Sequence, residues 1–425
     1  MSAPPVQSPA AAAGAIADAG YAERIAFVVG LAEHLHAYGT TTQRLEAAIV
    51  GVAQRLRLDC EPWTNPTGMI LSFNDPARPP GVSDTTRVLR LAPGETDLHR
   101  LCEADRIAED VLAGRLGLAQ GQAALAALAR PHGRSWQAMQ VAGFGLTAAA
   151  VAALLRLPWL DIATAGATGL LIGGLVQLAE PRPRLREAGD ALAGLLAGFV
   201  AILVASFVGP LNQNTVIIAS LIVLLPGLAL TNAVNELTSG HLVSGTARFA
   251  GALTTVLKLT VGTVIAVYVA NLAGLEPQVR ALRPQSDWVE WGGLLVAAYA
   301  FAVLFRAARR DYPVVMLAAA TGYLVSRYAG LAWGSPAGIF LAAFVLTAAG
   351  NAYARWWNRP GAIIRVPGII MLVPGSASLR GLLTLVQQQD VAGGQVAALA
   401  VLNILMALIA GLLFGNLLVT ARRNL

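Results

Sequence analysis

Apolar residues along this chain follow two rhythms. Over residues 21–57 they recur at helical spacing: Ile25, Val28, Ala32 and Leu35 line one face, and Leu45, Ile49, Val52 and Leu56 line another. Between the two stripes, Gly39 fits a helix-ending position and Thr40-x-x-Gln43 a capping box. Three short extended runs follow, Cys60–Trp63, Thr67–Phe73 and Thr86–Leu91, with a turn-rich stretch at Asn74–Gly81. Two further helices are expected near Asp97–Ala113 and Ala119–Ala129. From Val141 the rhythm changes to long apolar segments. Ten are expected to span a membrane: Val141–Leu155, Ile162–Ala179, Ala191–Val208, Thr215–Leu230, Phe249–Leu272, Trp291–Phe305, Pro313–Val325, Ala337–Tyr353, Ile369–Val386 and Val391–Val419.

This pattern predicts a polytopic α-helical membrane protein behind a small N-terminal α/β domain. We divide the chain into a disordered leader (1–19), a cytosolic domain (20–135) and two membrane halves (136–274 and 288–421). The leader lacks a basic n-region and a strong apolar stretch, so it does not read as a signal peptide.

Composition agrees. Hydrophobic residues are 56% of 425, and 43 glycines bring the apolar share to about 66%, where soluble domains sit near 45–50%. Charged residues are 13%, about half the usual share. The net charge of +6 divides into −2 on residues 1–141 and +8 on the rest. With the N-terminus inside, cytosolic loops and tail carry 12 arginines and external loops 5. The basic charge is therefore an orientation signal that places both termini in the cytosol, and no nucleic-acid partner is needed. Cys60 and Cys102 lie in the N-terminal section and read as buried thiols. His34 and His36, two apart on a helix, do not share a face, so no metal site is expected there.

Two apolar segments carry the same interruption, Val223-Leu-Leu-Pro226-Gly227 and Met371-Leu-Val-Pro374-Gly375, 148 residues apart. Shifting the fifth span by that offset lands on the tenth. Five spans repeated in one chain must be inverted in the bilayer, and paired Pro/Gly breaks are a pointer to a transport site. Pro226 and Pro374 interrupt the hydrogen-bond ladder, which is tolerated where freed backbone lines a cavity. Thr231, Asn232 and Asn235 follow the first break; Gly375, Ser376, Ser378 and Arg380 follow or form the second. Half-helix N-termini suit a carboxylate, and amide and hydroxyl groups suit an ammonium and a side-chain hydroxyl. Together with Gly227, these residues are the candidate substrate site for a small amino acid.

Ionisable residues close to the apolar segments are few. Glu236, His241, Asp190 and Lys258 are candidates for proton coupling; snorkelling to the cytosolic face is the alternative for Lys258. No P-loop surrounds the single lysine, so a secondary transporter or a channel is expected, with no cofactor. Two rival readings are a channel or sensor gated by the cytosolic domain, and a membrane-anchored hydrolase using the Thr64–Gly68 loop. That loop also reads as a tight turn. The sequence leaves room for a homo-oligomer without specifying one.

Several motifs, in order, resemble the bacterial threonine/serine exporter family in its fused, two-half form. They are Gly39-x-x-Thr42-x-Arg44-Leu45-Glu46, Pro66-Thr67-Gly68, Ser239-Gly-His-Leu-Val-Ser-Gly245, Val366-Pro-Gly-Ile-Ile-Met-Leu-Val-Pro-Gly375 and Arg380-Gly381. Met371 and Leu379 stand where the family often has proline and an aromatic residue. The resemblance covers about residues 20–421 and implies a cytosolic N-terminal domain and ten spans in the bacterial inner membrane. It also implies export of threonine and serine driven by the proton motive force.

Overall fold

The computed structural model describes residues 20–77, 84–131, 133–280, 284–373, 375–387 and 390–420. The expected leader 1–19, Pro374 and part of the Asn74–Gly81 turn lie outside them.

The N-terminal layer comprises α1 (Tyr21–Ala37), α2 (Thr42–Arg55), β1 (Asp59–Asn65), β2 (Gly68–Asn74), β3 (Thr85–Arg90), α3 (Leu98–Leu112) and α4 (Leu118–Leu128). The strands form an antiparallel meander in the order β1-β2-β3. Met69, Leu71 and Phe73 alternate inward from β2 and pack with Phe27, Leu31 and Leu35 of α1 and Ile49 of α2. Each such buried side chain contributes about 1.5–3 kcal/mol. Gly39 takes φ +81°, as a helix-ending glycine should. The capping box is not formed. Thr41, not Thr40, precedes α2 and makes no side-chain cap. The helix starts one residue late, so Arg44 and not Gln43 takes the third helical position, and the Thr42 N–H donates to Glu236 from a distant helix.

The rest of the chain is helical: α5 (Arg134–Leu154), α6 (Trp159–Ala179), α7 (Pro183–Phe207), α8 (Gln213–Ser220), α9 (Gly227–Thr238), α10 (Leu242–Leu272), α11 (Asp287–Leu304), α12 (Tyr312–Trp333), α13 (Ser335–Trp357), α14 (Ala362–Ile369), α15 (Gly375–Gln387) and α16 (Val391–Leu418). Among the described residues, nine segments are long and apolar enough to cross a membrane. The expected fourth span, Thr215–Leu230, is not among them. It is two short helices, α8 and α9, and α9 runs on to Thr238. The ninth is also broken, but α14 and α15 together qualify as one span.

Small residues let these helices approach closely. A Cβ on Gly194 of α7 would lie 2.2 Å from the Leu259 carbonyl oxygen of α10, and one on Gly262 would lie 1.9 Å from that of Ala191. Large apolar side chains such as Leu171, Phe207 and Leu272 remain on the outer surface, where a bilayer would cover them. Tryptophans cluster at both ends: Trp159 with Trp288 at one, Trp356 with Trp357 at the sheet-bearing other, as expected for interfacial belts.

The sheet-bearing layer is bonded to the helical bundle through helix ends. The first-turn N–H groups of Leu98 and His99 on α3 donate to the carbonyls of Phe305 (2.9 Å) and Arg306 (3.1 Å) just past α11. Free donors of one helix thereby satisfy free acceptors of another. Arg306 pairs with Glu95 at 2.8 Å and stacks on Trp136. Leu98 and Cys102 complete an apolar cluster with Ala302, Val315 and Ile363. Cys60 and Cys102 are free and buried, and burial pushes each thiol up to about 12.

Asp105 on α3 is buried, and desolvation pushes its carboxyl up to about 8, with the charge of Glu109 adding and that of Arg359 opposing. The unfolded chain releases this proton near pH 4, whereas the folded protein holds it to about pH 8. Stability is therefore undiminished by this group below about pH 4, is lost progressively as pH rises from about 4 to about 8, and levels off above that. Thermal unfolding of the purified protein in detergent should show the midpoint dropping between about pH 5 and 8 and levelling off above, and Asp105→Asn should flatten that drop.

Candidate functional site

Two breaks define the centre of the bundle. In the first, α8 ends at Ser220, the chain turns through 221–225, and Pro226 leads into α9 at Gly227. In the second, α14 passes through a 3-10 turn, Ile370–Leu372, to an extended Val373, and α15 starts at Gly375. The breaks lie against each other. A Cβ added to Gly227 would sit 2.1 Å from Val373 Cγ1 and 3.3 Å from the Gly375 nitrogen. One added to Gly375 would sit 3.1 Å from Leu225 Cβ and 3.5 Å from Gly227 Cα. Each glycine leaves room for a side chain of the other break, Val373 over Gly227 and Leu225 over Gly375, and a Cβ at either position would fill it.

The broken segments also exchange partners. Leu379 and Leu383 of α15 belong to the core of Val216, Leu221, Leu225 and Leu259. Leu228 of α9 packs instead on the core of Leu346, Ile369 and Leu408. Residues just beyond each break thus pack on helices that surround the other break.

Polar groups follow each break. Thr231 is buried, its hydroxyl donating to the Gly227 carbonyl at 3.2 Å. It braces the first turn of α9. Asn232 and Asn235 are half-buried and their side-chain amides make no hydrogen bond among the described residues. Ser376 and Ser378 are half-buried in the first turn of α15, and Arg380 is exposed one turn further. Pro374 lies outside the described residues.

Glu236, a turn beyond Asn232, is 0% exposed. Its carboxylate accepts from Ser244 Oγ (2.8 Å), from Arg248 Nε and Nη2 (3.1 Å each) and from the Thr42 backbone N–H (3.1 Å). Thr42 Oγ1 bonds Ser244 Oγ at 2.7 Å. His241 lies beside it: Nε2 is 3.1 Å from Glu46 Oε2, and Nδ1 is 3.1 Å from Ser239 Oγ. Glu46 also accepts from the Thr64 N–H at 2.8 Å and hydroxyl at 3.0 Å. Glu236 and His241 therefore tie the helix beyond the first break to the N-terminal layer. The Thr64–Gly68 stretch forms a hairpin turn, in which Asn65 Oδ1 accepts from the Thr67 N–H and hydroxyl. The imidazoles of His34 and His36 go to different carbonyls, Gly30 and Asn65.

Asp190 and Lys258 form a separate pair on α7 and α10, 3.9 Å apart, and Lys258 Nζ donates to the Glu187 carbonyl at 3.1 Å. The lysine bends toward the start of α7, as a snorkelling side chain does. Thr42, Glu46, Ser244 and Arg248 had no role assigned from sequence. For Thr42, Glu46 and Ser244 a signal was present, since the Gly39–Glu46 and Ser239–Gly245 motifs meet here; Arg248 lies just beyond the second motif. Only tertiary contact shows that two motifs 200 residues apart share one carboxylate.

The fold and the crossed breaks define a polytopic membrane protein with discontinuous helices. Sequence models described as "Putative threonine/serine exporter" and "Threonine/Serine exporter" match residues 26–270 and 293–418. The chain belongs to the threonine/serine exporter family. It is 25% identical over 414 residues to the "Probable threonine/serine exporter" of Mycobacterium tuberculosis, covering 93% of this chain and 76% of that one. It is 24% identical to "Pheromone-regulated membrane protein 10" of Pichia sorbitophila and 25% to that of Saccharomyces cerevisiae, covering 87% of this chain in each case. The match spans only 38% of the Pichia protein's length and 48% of the Saccharomyces one. No solved structure matches.

Two outcomes are expected. Gly227→Ala should destabilise the detergent-solubilised protein by about 1–3 kcal/mol. Adding Val373→Ala should restore part of that, because the clashing Cγ1 is gone; a thermal-unfolding double-mutant cycle measures the coupling. Arg248→Leu should cost about 3–5 kcal/mol by stranding a buried carboxylate, and Glu236→Gln in the same chain should recover much of it.

Proposed function

We propose that this chain is a secondary active exporter of small hydroxy amino acids, threonine and serine, exchanging them for protons across the bacterial cytoplasmic membrane. The observation that carries the reading is the contact between the two broken helices in a member of an exporter family. Crossed breaks bring two half-helix N-termini, with their free N–H groups, to one place in an apolar bundle. The substrate carboxylate binds at the Gly227 and Gly375 turns. Asn232, Asn235, Ser376 and Ser378 supply acceptors and donors for the ammonium and hydroxyl, and Arg380 attracts the anionic end.

Ten crossings as an inverted five-plus-five repeat fit this reading, with α8–α9 and α14–α15 each counted as one. The element order supports it: three helices, a broken pair and a long helix occur twice. The direction supports it too. α5 leaves from the sheet-bearing end, whereas α11 arrives there, where Phe305 and Arg306 accept from α3. Residues 20–135 are then a cytosolic domain, 136–274 and 288–421 the two halves, and both termini are cytosolic.

Protonation supplies the coupling. A proton on Glu236 removes the charge that holds Arg248, Ser244 and Thr42, so it weakens the tie between the half-helix and the cytosolic domain. His241 and Glu46 form the adjoining bond. Asp190 and Lys258 sit apart from this tie and act on the α7–α10 packing.

Reconstituted protein should move labelled threonine in response to an imposed proton gradient. Glu236→Gln should lower that gradient-driven flux about tenfold or more, since hydrogen bonds to a charged group carry roughly 1.5–3 kcal/mol. Absence of gradient-dependent threonine or serine flux would sink the proposal, and ohmic conductance would favour a gated channel.

A further inference from the structure

A cavity lies away from the crossed breaks. It measures about 360 Å³ and sits between α3 and the bundle loops around 310 and 358–360, lined by Cys102, Asp105, Glu109, Arg310, Asn358 and Arg359. That volume is at the lower end of the range for small-molecule sites, about 300–1,000 Å³.

The charge in this cavity is unevenly satisfied. Each arginine around it already has a carboxylate. Arg359 holds Asp311 through both terminal nitrogens, and Arg310 pairs with Glu103 at 3.2 Å. Arg106 pairs with Glu103 and Asp110, and Arg115 with Asp110. Asp105 is different. It is 7% exposed, makes no hydrogen bond or ion pair among the described residues, and its Oδ1 is sealed from solvent. Glu109 lies one helical turn on, facing the same cavity, with only a long 3.8 Å contact to Arg55. A buried carboxyl without a partner is costly, and the natural remedy is a donor that enters the cavity. The carboxyl, which the folded protein holds protonated in the cavity, keeps open acceptor sites, and an ammonium entering beside it would take over as its partner as the proton leaves. Among the described residues no group of three or more carboxylates, thiols or imidazoles could hold a metal ion.

We propose that this junction cavity binds a small molecule bearing a primary ammonium, of amino-acid size, with the ammonium on Asp105 and Glu109. The arginine side of the cavity, Arg310 and Arg359, faces any carboxylate on the same molecule. Because α3 lines one wall and the bundle loops the other, the occupant bridges the N-terminal layer and the membrane bundle. It is thus placed to bias how the two are held together. The site is distinct from the crossed breaks and does not depend on the exporter reading.

Cys102 lines the cavity and reports on occupancy. With Cys60→Ala, Cys102 is the only thiol of the full chain. Its alkylation by excess N-ethylmaleimide in detergent is slow because burial holds the thiol protonated. The reaction can be timed over hours with L-threonine, with 1-amino-2-propanol (ammonium, no carboxylate) and with lactate (carboxylate, no ammonium), at constant ionic strength. Titration calorimetry with the same three compounds gives the same comparison without the thiol. Threonine and the amino alcohol should slow alkylation several-fold, and lactate should not. Asp105→Asn, checked for monodispersity, should raise the half-protecting concentration about tenfold, the usual scale for losing one hydrogen bond to a charged group; Glu109→Gln should raise it less. The proposal is overturned if neither ammonium compound protects, if lactate protects equally, or if Asp105→Asn is protected like the parent. The assay needs no transport. Protection without proton-coupled flux would sink the exporter reading alone, and flux without protection would sink this site alone.

Discussion

Two helices cannot be broken inside an apolar bundle unless something receives the freed backbone groups. Here the two breaks lie against each other, and the rest of the architecture follows from that contact. Gly227 and Gly375 approach so closely that a single methyl group on Gly227 would overlap Val373. Beyond the breaks, α15 packs Leu379 and Leu383 into the core around Val216 and Leu221, and the first turn of α9 packs Leu228 against the core around Leu346 and Leu408. The bundle is therefore interlocked at its centre, not merely packed side by side. In a membrane, where no water can satisfy an exposed peptide group, unwound backbone survives only where protein or a cavity covers it.

The N-terminal layer is held to this bundle at two places with different chemistry. At one, the carboxylate of Glu236 gathers an arginine, a hydroxyl and the first N–H of α2. At the other, the first N–H groups of α3 dock on the last carbonyls of α11. Both use valences that a helix end leaves open. The first anchor reaches α9 and α10, directly beyond the first break, and the second reaches the opposite half. A layer bound to both halves must yield or shift whenever they move relative to each other. Breaking a buried charge pair costs several kcal/mol, so the Glu236 anchor is the more sensitive of the two to any change in charge.

Much of the fold was legible in the chain. The alternation of Met69, Leu71 and Phe73 gave β2, the stripe from Ile25 to Leu35 gave α1, and Gly39 marked the turn between α1 and α2. The long apolar segments gave the membrane helices, apart from the fourth. That region misled because Thr215–Leu230 has the hydropathy of a span, while Pro226 divides it into pieces too short to cross alone. The capping box at Thr40–Gln43 failed by one residue. Because α2 starts at Thr42, Gln43 sits second in the helix and cannot reach back as the third residue of a box does, while the free Thr42 N–H bonds Glu236, 194 residues away.

By itself, then, the sequence determined which segments are apolar, where proline and glycine must interrupt a helix, and that the interruption occurs twice at one offset. These are one-dimensional properties, fixed by periodicity and by the missing N–H of proline. Only the tertiary structure decided that the two interruptions touch, that Glu236 belongs to Thr42 and Arg248 rather than to an open site, and that Asp105 faces a cavity without a partner. Such facts depend on which distant groups come within about 3 Å, the reach of a hydrogen bond, and no local pattern along the chain encodes that distance.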